Sequence, residues 1–158
     1  MDYKELVKDF TKRTMSNLNA IDNLLEQQQK KGEKITVFET TQLINSCLGL
    51  IVIPKETWLD NIPETSLVEL KADGWPIPEL SDPSEAWQDL TLRQLIKYLR
   101  NAIVHWNIEI IQDGENQICG LKMWNDHEEN DSRVHESTLS VDDLRNFMGK
   151  FSDMIAHI

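Results

Sequence analysis

The sequence predicts a mainly α fold: an up-and-down helical bundle of four or so long helices, with a short β-hairpin before the last helix, in one domain over residues 1–158. Three observations predict it. Apolar residues recur at three-to-four spacing in four separate segments, which is the helical period. A single strong turn signal, Asp113-Gly114, lies between two short runs rich in isoleucine, the pattern of a hairpin. Six glycines and five prolines in 158 residues leave long segments uninterrupted, and a chain of this length buries a core without disulfide or metal staples.

Residues 3–29 carry Tyr3, Leu6, Val7, Phe10, Leu18, Ile21, Leu24 and Leu25 at helical spacing, with Thr14 filling the gap, and "KGEK" stops the helix. "VFETTQLINSCLGLIVI" is a second helix ended by Pro54, and its continuous apolar tail marks a buried element. From 56 to 89 the composition shifts: four of the five prolines and nine acidic residues stand against one lysine. This is a long irregular connection with one short helix, packed down by Trp58, Trp75 and Trp87. "TLRQLIKYLRNAIVHWN" is the clearest helix. Thr91 and Gln94 form a capping box, and Leu92, Leu95, Ile96, Leu99, Ile103 and Trp106 form the inward stripe. "IEIIQDGENQICGLKMW" supplies the hairpin, "NDHEENDSRVHEST" a polar loop, and Val141 onward a last helix capped by Ser140 and Asp143, with Leu144, Phe147, Met148, Phe151 and Ile155 inward.

Bulk charge restricts function. A net charge of −11 repels phosphate, so loose binding to DNA or a membrane surface is not expected. Cys47 and Cys119 form no CxxC pair, so neither a disulfide scaffold nor a zinc knuckle is indicated and a cytoplasmic setting is the expectation. The start, "MDYKELVKDF", is charged and periodic, and the longest apolar run, "LGLIVI", is far too short to span a bilayer.

The fourth helix carries a second stripe. Gln94, Tyr98, Asn101 and His105 recur at i, i+4, i+7 and i+11 on the side away from the apolar stripe. Arg93, Lys97 and Arg100 lie on its flank, and no acid occurs between Asp89 and Glu109. In so acidic a chain that gap makes a positive strip beside a titratable histidine. Such a grouping suits phosphodiester chemistry: imidazole moves a proton near neutral pH, and guanidinium holds non-bridging oxygens as charge gathers on phosphorus. One histidine is poorly placed to be both base and acid in an in-line reaction, whereas two copies facing across a two-fold axis supply two. The bland alternative is that the helix dipole favours His105 and that Arg100 caps carbonyls or meets an acid.

Other groupings are weaker. "HEENDSRVHE" sets His127 and His135 among Glu128, Glu129, Asp131 and Glu136, but the spacing fits no rigid metal template. Glu109 and Asp113 reach His105 only if the chain folds back. Trp58, Trp75, Trp87 and Trp124 read as plugs that close the bundle beneath a loop, with base stacking the other possibility. No glycine-rich phosphate loop or carboxylate pair is present, and no metal or cofactor is expected.

"RNAIVH", Arg100 to His105, resembles the signature of the HEPN superfamily: arginine, a polar residue, then histidine on a late helix of an all-helical bundle. With "TTQLINSCLGLIVIP" and "SVDDLRNFMGKF", most of the chain is similar to the plasmid-type HEPN branch of small bacterial proteins. The resemblance implies metal-independent cleavage of single-stranded RNA by homodimers, leaving 2′,3′-cyclic phosphate and 5′-hydroxyl ends. It assigns Arg100 to the phosphate, His105 to proton transfer and Asn101 to the polar position. Arg93, Gln94, Lys97 and Tyr98 would then line the substrate path. The requirement for a ribose hydroxyl excludes DNA. Members commonly act in toxin–antitoxin, anti-phage defence or stress systems, which implies a cognate antitoxin or inhibitor protein. Some are catalytically silent interaction or regulatory modules. The tyrosine that one toxin branch carries two residues after the histidine is Asn107 here, so control through that tyrosine is not implied.

Overall fold

A computed structural model describes residues 6–52, 59–81, 89–126 and 133–157. Helix α1 spans Leu6–Lys31. Helix α2, Glu39–Cys47, runs straight into a π-helical turn over Leu48–Val52. The acidic connection holds a short helix α3, Leu67–Ala72, and a strand β1, Glu79–Leu80; helix α4 is Leu92–Val104. Strands β2 (Ile108–Gln112), β3 (Ile118–Asp126) and β4 (Arg133–Ser140) precede helix α5, Val141–His157. Among the described residues no helix is long and apolar enough to cross a membrane.

The helix ends follow the sequence signals. Both halves of the Thr91–Gln94 capping box form, as does a second box between Ser66 and Glu69. The Ser140 hydroxyl donates to the Asp143 carboxylate and accepts from its N–H, starting α5. Helix α1 ends in a Schellman turn: Gly32 N–H reaches the Gln29 carbonyl, Glu33 N–H reaches that of Gln28, and Gly32 takes φ +63°. The buried Gln28 side chain then holds the outgoing chain by bonds to both the hydroxyl and the N–H of Thr36.

The inward stripes of α4 and α5 fill one core. Leu92, Leu95, Ile96 and Leu99 meet Leu144, Phe147, Met148, Phe151 and Ile155, together with Leu43, Leu50 and Ile51 from α2 and its π-turn. Trp75 sets its ring edge against Phe147 at 5.5 Å, so this tryptophan is a plug. Trp58 and Trp87 lie outside the described residues. Cys47 is buried, and burial pushes its thiol up to about 12, which leaves it a neutral packing group. Cys119 is exposed, and both cysteines are free.

The sheet is larger than the hairpin the sequence predicts. Four antiparallel strands stand in the order β1-β4-β3-β2, with β2 at an edge. The predicted hairpin is β2 and β3. The additional strands come from segments that read as loop, because the outward residues of β4, among them Arg133 and Glu136, are charged while Ser137 and Leu139 turn inward and are buried. Gly120 of β3 sits opposite Ser140, where a Cβ would lie 2.9 Å from the Leu139 carbonyl oxygen.

Polar contacts fix the helices relative to one another and to the connection. Arg145 of α5 pairs with Asp22 of α1. Arg93 of α4 donates Nε to the Ile62 carbonyl at 2.9 Å, Nη2 to the Asp60 carbonyl at 2.8 Å and Nη1 to the Glu64 carboxylate at 2.8 Å. A bridge between Ser66 and Thr91 aligns the starts of α3 and α4, with Leu67 N–H on the Leu90 carbonyl and Leu92 N–H on that of Thr65.

Two stability predictions follow from these contacts. Gly120→Ala forces its methyl into a backbone oxygen and should destabilise the chain by about 1–3 kcal/mol. Arg93→Ala strips charge-assisted bonds from two carbonyls and should cost about 1–3 kcal/mol; Arg93→Lys, which lacks the planar fork, should recover only part of it. Urea unfolding of each variant against wild type measures both, and a midpoint shift within error would refute the corresponding contact.

Candidate functional site

The site is built at the C-terminal end of α4, where the helix stops one residue before His105. His105 is the C-cap, with φ −88° and ψ 2°, and its N–H still reaches the Asn101 carbonyl at 3.0 Å. The chain then closes a second Schellman turn. Trp106 N–H donates to the Ile103 carbonyl at 3.1 Å and Asn107 N–H to that of Ala102 at 2.8 Å. The bonding repeats that at Gly32, but here the left-handed position is filled by tryptophan, with φ +57°. A side chain in that conformation costs about 1–2 kcal/mol over glycine. Trp106 is consequently not part of the inward stripe: the turn swings its indole away from the core, and it is 66% exposed. The 3.6-residue period fails there because the helix has already ended.

The predicted site residues have different surroundings. His105 is exposed at the tip, and Asn101, half-buried, stands one turn earlier on the same stripe. Arg100 is half-buried. Its Nε is sealed from solvent without an acceptor, and among the described residues the guanidinium has no ion pair or hydrogen bond. Lys97 is exposed and likewise without an ion pair among the described residues. Gln94 is taken up by the cap, its Oε1 accepting the Thr91 N–H at 2.9 Å. Arg93 is committed to the loop carbonyls described above. At 3.6 residues per turn, Arg100 and His105 leave the axis about 140° apart.

Strands β3 and β4 close in beside this stripe. Trp124 N–H donates to the Asn107 carbonyl at 3.2 Å, Asn107 Nδ2 to Asp126 Oδ2 at 2.8 Å, and Asn125 Nδ2 to the Tyr98 carbonyl at 3.3 Å. The β3–β4 register shifts between Met123 and Asn125, so Trp124 faces both His135 and Glu136. This is a β-bulge, a device that re-aims side chains. His135 takes φ +51° there, and its ring stacks on Tyr98 with centroids 3.7 Å apart and planes at 13°. Arg133 lies over the Trp124 ring at 3.8 Å. The Ser81 hydroxyl bonded to Glu136, with Lys122 and Arg133 nearby, holds the Glu136 carboxyl below the usual carboxylate range.

Sequence reasoning considered His135 only as a metal ligand and passed over Arg133. A one-residue bulge leaves no periodic signal, so the placement of these two groups was not readable. Among the described residues no three His, Cys, Asp or Glu side chains are grouped for a metal ion. His127, Glu128, Glu129 and Asp131 lie outside the described residues. Glu109 faces Arg133 at 4.0 Å, and Asp113 accepts the N–H groups of Glu115 and Gln117 in the hairpin turn; both have surface roles.

No curated protein and no solved structure matches the chain. The model of one family, described as HEPN pEK499 p136, matches residues 1–158. The match covers the whole of the given sequence, and the chain belongs to this HEPN family.

Proposed function

We propose that the protein is a metal-independent endoribonuclease that cleaves single-stranded RNA, with an active site shared between two copies of the chain. The observation that carries this reading is Arg100: in a chain with 27 acidic and 16 basic residues, its guanidinium meets no acid among the described residues, and it stands five residues before an exposed histidine. An arginine kept from carboxylates is suited to hold an anion that arrives from outside.

The divergence of Arg100 and His105 by about 140° around one helix argues for two copies, since side chains that part on one helix converge across a two-fold cleft. Val104, 55% exposed one turn beyond Arg100 on the same flank, offers apolar surface for that contact. In the reaction, one His105 takes the proton from the ribose 2′-hydroxyl as O2′ bonds to phosphorus. The P–O5′ bond breaks, and the second copy's histidine gives a proton to the leaving oxygen. The two arginines hold the non-bridging oxygens and oppose the charge that builds in the transition state. Asn101, whose carbonyl anchors the His105 backbone, orients the imidazole or the substrate. The products are a 2′,3′-cyclic phosphate and a 5′-hydroxyl.

Labelled single-stranded RNA incubated with the dimer in EDTA should be cut to cyclic phosphate ends. His105→Ala and Arg100→Ala should each slow cutting at least about 100-fold. Mixed dimers of one wild-type and one His105→Ala subunit should cut well below half the wild-type rate, because the shared cleft then keeps only one of the two histidines that the reaction uses. A wild-type dimer that leaves the pool intact, or a His105→Ala protein that cuts at the wild-type rate, would overturn the reading; the first result would favour a silent interaction module.

A further inference from the structure

Helices α1 and α5 leave a cleft between them, on residues that the reaction just described does not use. Arg145, near the start of α5, pairs with Asp22, past the middle of α1, whereas Gly149, Ser152 and Asp153 line the cleft together with α1 residues from Lys8 to Asn19. The two helices are therefore antiparallel, and the cleft opens toward the start of α1. Its volume of about 750 Å³ is that of a small-molecule site. The α1 wall is cationic. Lys8 and Lys12 stand one turn apart on it, and among the described residues neither has an ion pair. Asp9 is neutralised by Arg13 at 2.9 Å, so the two lysines face Asp153 alone, a local excess of positive charge in a chain of −11. His157, one turn beyond Asp153, is exposed and its Nδ1 is bonded to the Asp153 carbonyl. The floor is polar although it is buried: Thr11 is 3% and Ser152 7% exposed. Neither hydroxyl is bonded to another side chain among the described residues, which leaves both able to meet a ligand. Gly149 stands inside a 17-residue helix, where glycine is disfavoured. A Cβ there would meet nothing within 4 Å, so packing within the chain does not require the missing side chain. The open cleft does, because a side chain at that position would occupy it.

We infer that this cleft binds a small phosphorylated polyol, the chemical class of the sugar phosphates. The phosphate lies between Lys8 and Lys12, whose ammonium groups hold it as point charges. The hydroxyls of the ligand bond Asp153, Ser16 and Asn19 along the walls and Thr11 and Ser152 on the floor. Asp153 would repel a phosphate, yet a carboxylate is a good acceptor for sugar hydroxyls, so it selects for the polyol part. Lys12 and Asn19 are about 10 Å apart along the helix at 1.5 Å per residue, which gives the phosphate and the hydroxyls separate places. No aromatic residue lines the cleft, and Met15 is its one large apolar side chain. A nucleic-acid strand is therefore a poorer occupant, since its bases find no ring to stack on. A partner helix fits less well too, because grooves that take helices are apolar and this lining is mostly polar. The inference stands apart from the RNA-cleavage reading and shares no residue with it.

Calorimetric titration of the full chain with glycerol 3-phosphate, ribose 5-phosphate and glucose 6-phosphate, each compared with inorganic phosphate and with ribose, tests the site. At least one of the three esters should bind at least about tenfold more tightly than inorganic phosphate, and ribose should give no detectable heat. Replacing both lysines, Lys8→Ala with Lys12→Ala, should weaken that ester at least about tenfold. Asp153→Asn should weaken the ester but tighten inorganic phosphate, because it removes a charged acceptor and a repelling charge together. Gly149→Leu controls for misfolding: a better helix former enters where a Cβ meets nothing, so the melting temperature should not fall while binding is lost. Failure of all three esters to bind at millimolar concentration would overturn the site. So would binding that survives both Gly149→Leu and the double lysine variant. Inorganic phosphate held as tightly as its esters would overturn the assigned class and leave a bare anion patch. None of these readouts depends on whether the protein cuts RNA.

Discussion

The direction of helix α4 is the constraint on which the site depends, and it is held at both ends by bonds that leave little freedom. At the start, the Thr91 box, the bridge to Ser66 and the three-way grip of Arg93 fix the helix against the acidic connection. At the end, the Schellman turn and the Asn107–Trp124 bond fix it against the sheet. Between these anchors Leu92, Leu95, Ile96 and Leu99 are almost fully buried, so the helix cannot rotate without opening the core. The opposite stripe is thereby presented in one orientation. A side-chain constellation is useful only when its supporting elements are rigid, and here the rigidity comes from residues that perform no chemistry themselves.

This division explains what the sequence made legible. Helices α4 and α5, their caps and their inward stripes could be read because capping pairs and 3.6-residue periodicity are local signals. The stripe of Tyr98, Asn101 and His105 followed from the same period. Strand β4 was hidden because only Val134 and Leu139 of "RVHESTLS" are apolar and an odd interval separates them, and because its pairing joins Glu79 to Thr138 and Leu80 to Ser137, far apart in the chain. Trp106 was misread as core because hydrophobicity was extrapolated past a helix end that only backbone conformation reveals. Arg93 looked like part of a positive strip, yet its guanidinium is used to satisfy carbonyls. A charge on a flank does not disclose whether it faces solvent or the protein's own backbone.

The acidity of the chain takes on a more specific meaning in the folded state. Several acids are paired with a neighbouring base: Asp22 with Arg145, Glu64 with Arg93, Glu136 with Lys122. On α4 the half-buried Arg100 and the exposed Lys97 have no acid partner among the described residues. An excess of negative charge elsewhere repels polyanions at long range, but screening confines that repulsion to about 10 Å at ordinary ionic strength. Close to α4, the charges of Lys97 and Arg100 therefore count for more than the distant acids. The net charge then sets how selective approach must be without forbidding it.

The position of β2 at the rim of the sheet has a consequence for solubility. A five-residue rim strand containing Ile108, Ile110 and Ile111 is the kind of segment that recruits strands from other chains, through its open row of amides and carbonyls. Glu109 interrupts the run and is held toward Arg133, so an incoming strand would have to desolvate or oppose a carboxylate in the middle of its new ladder. One acidic side chain thus places on the open rim the kind of charge that opposes edge-to-edge pairing.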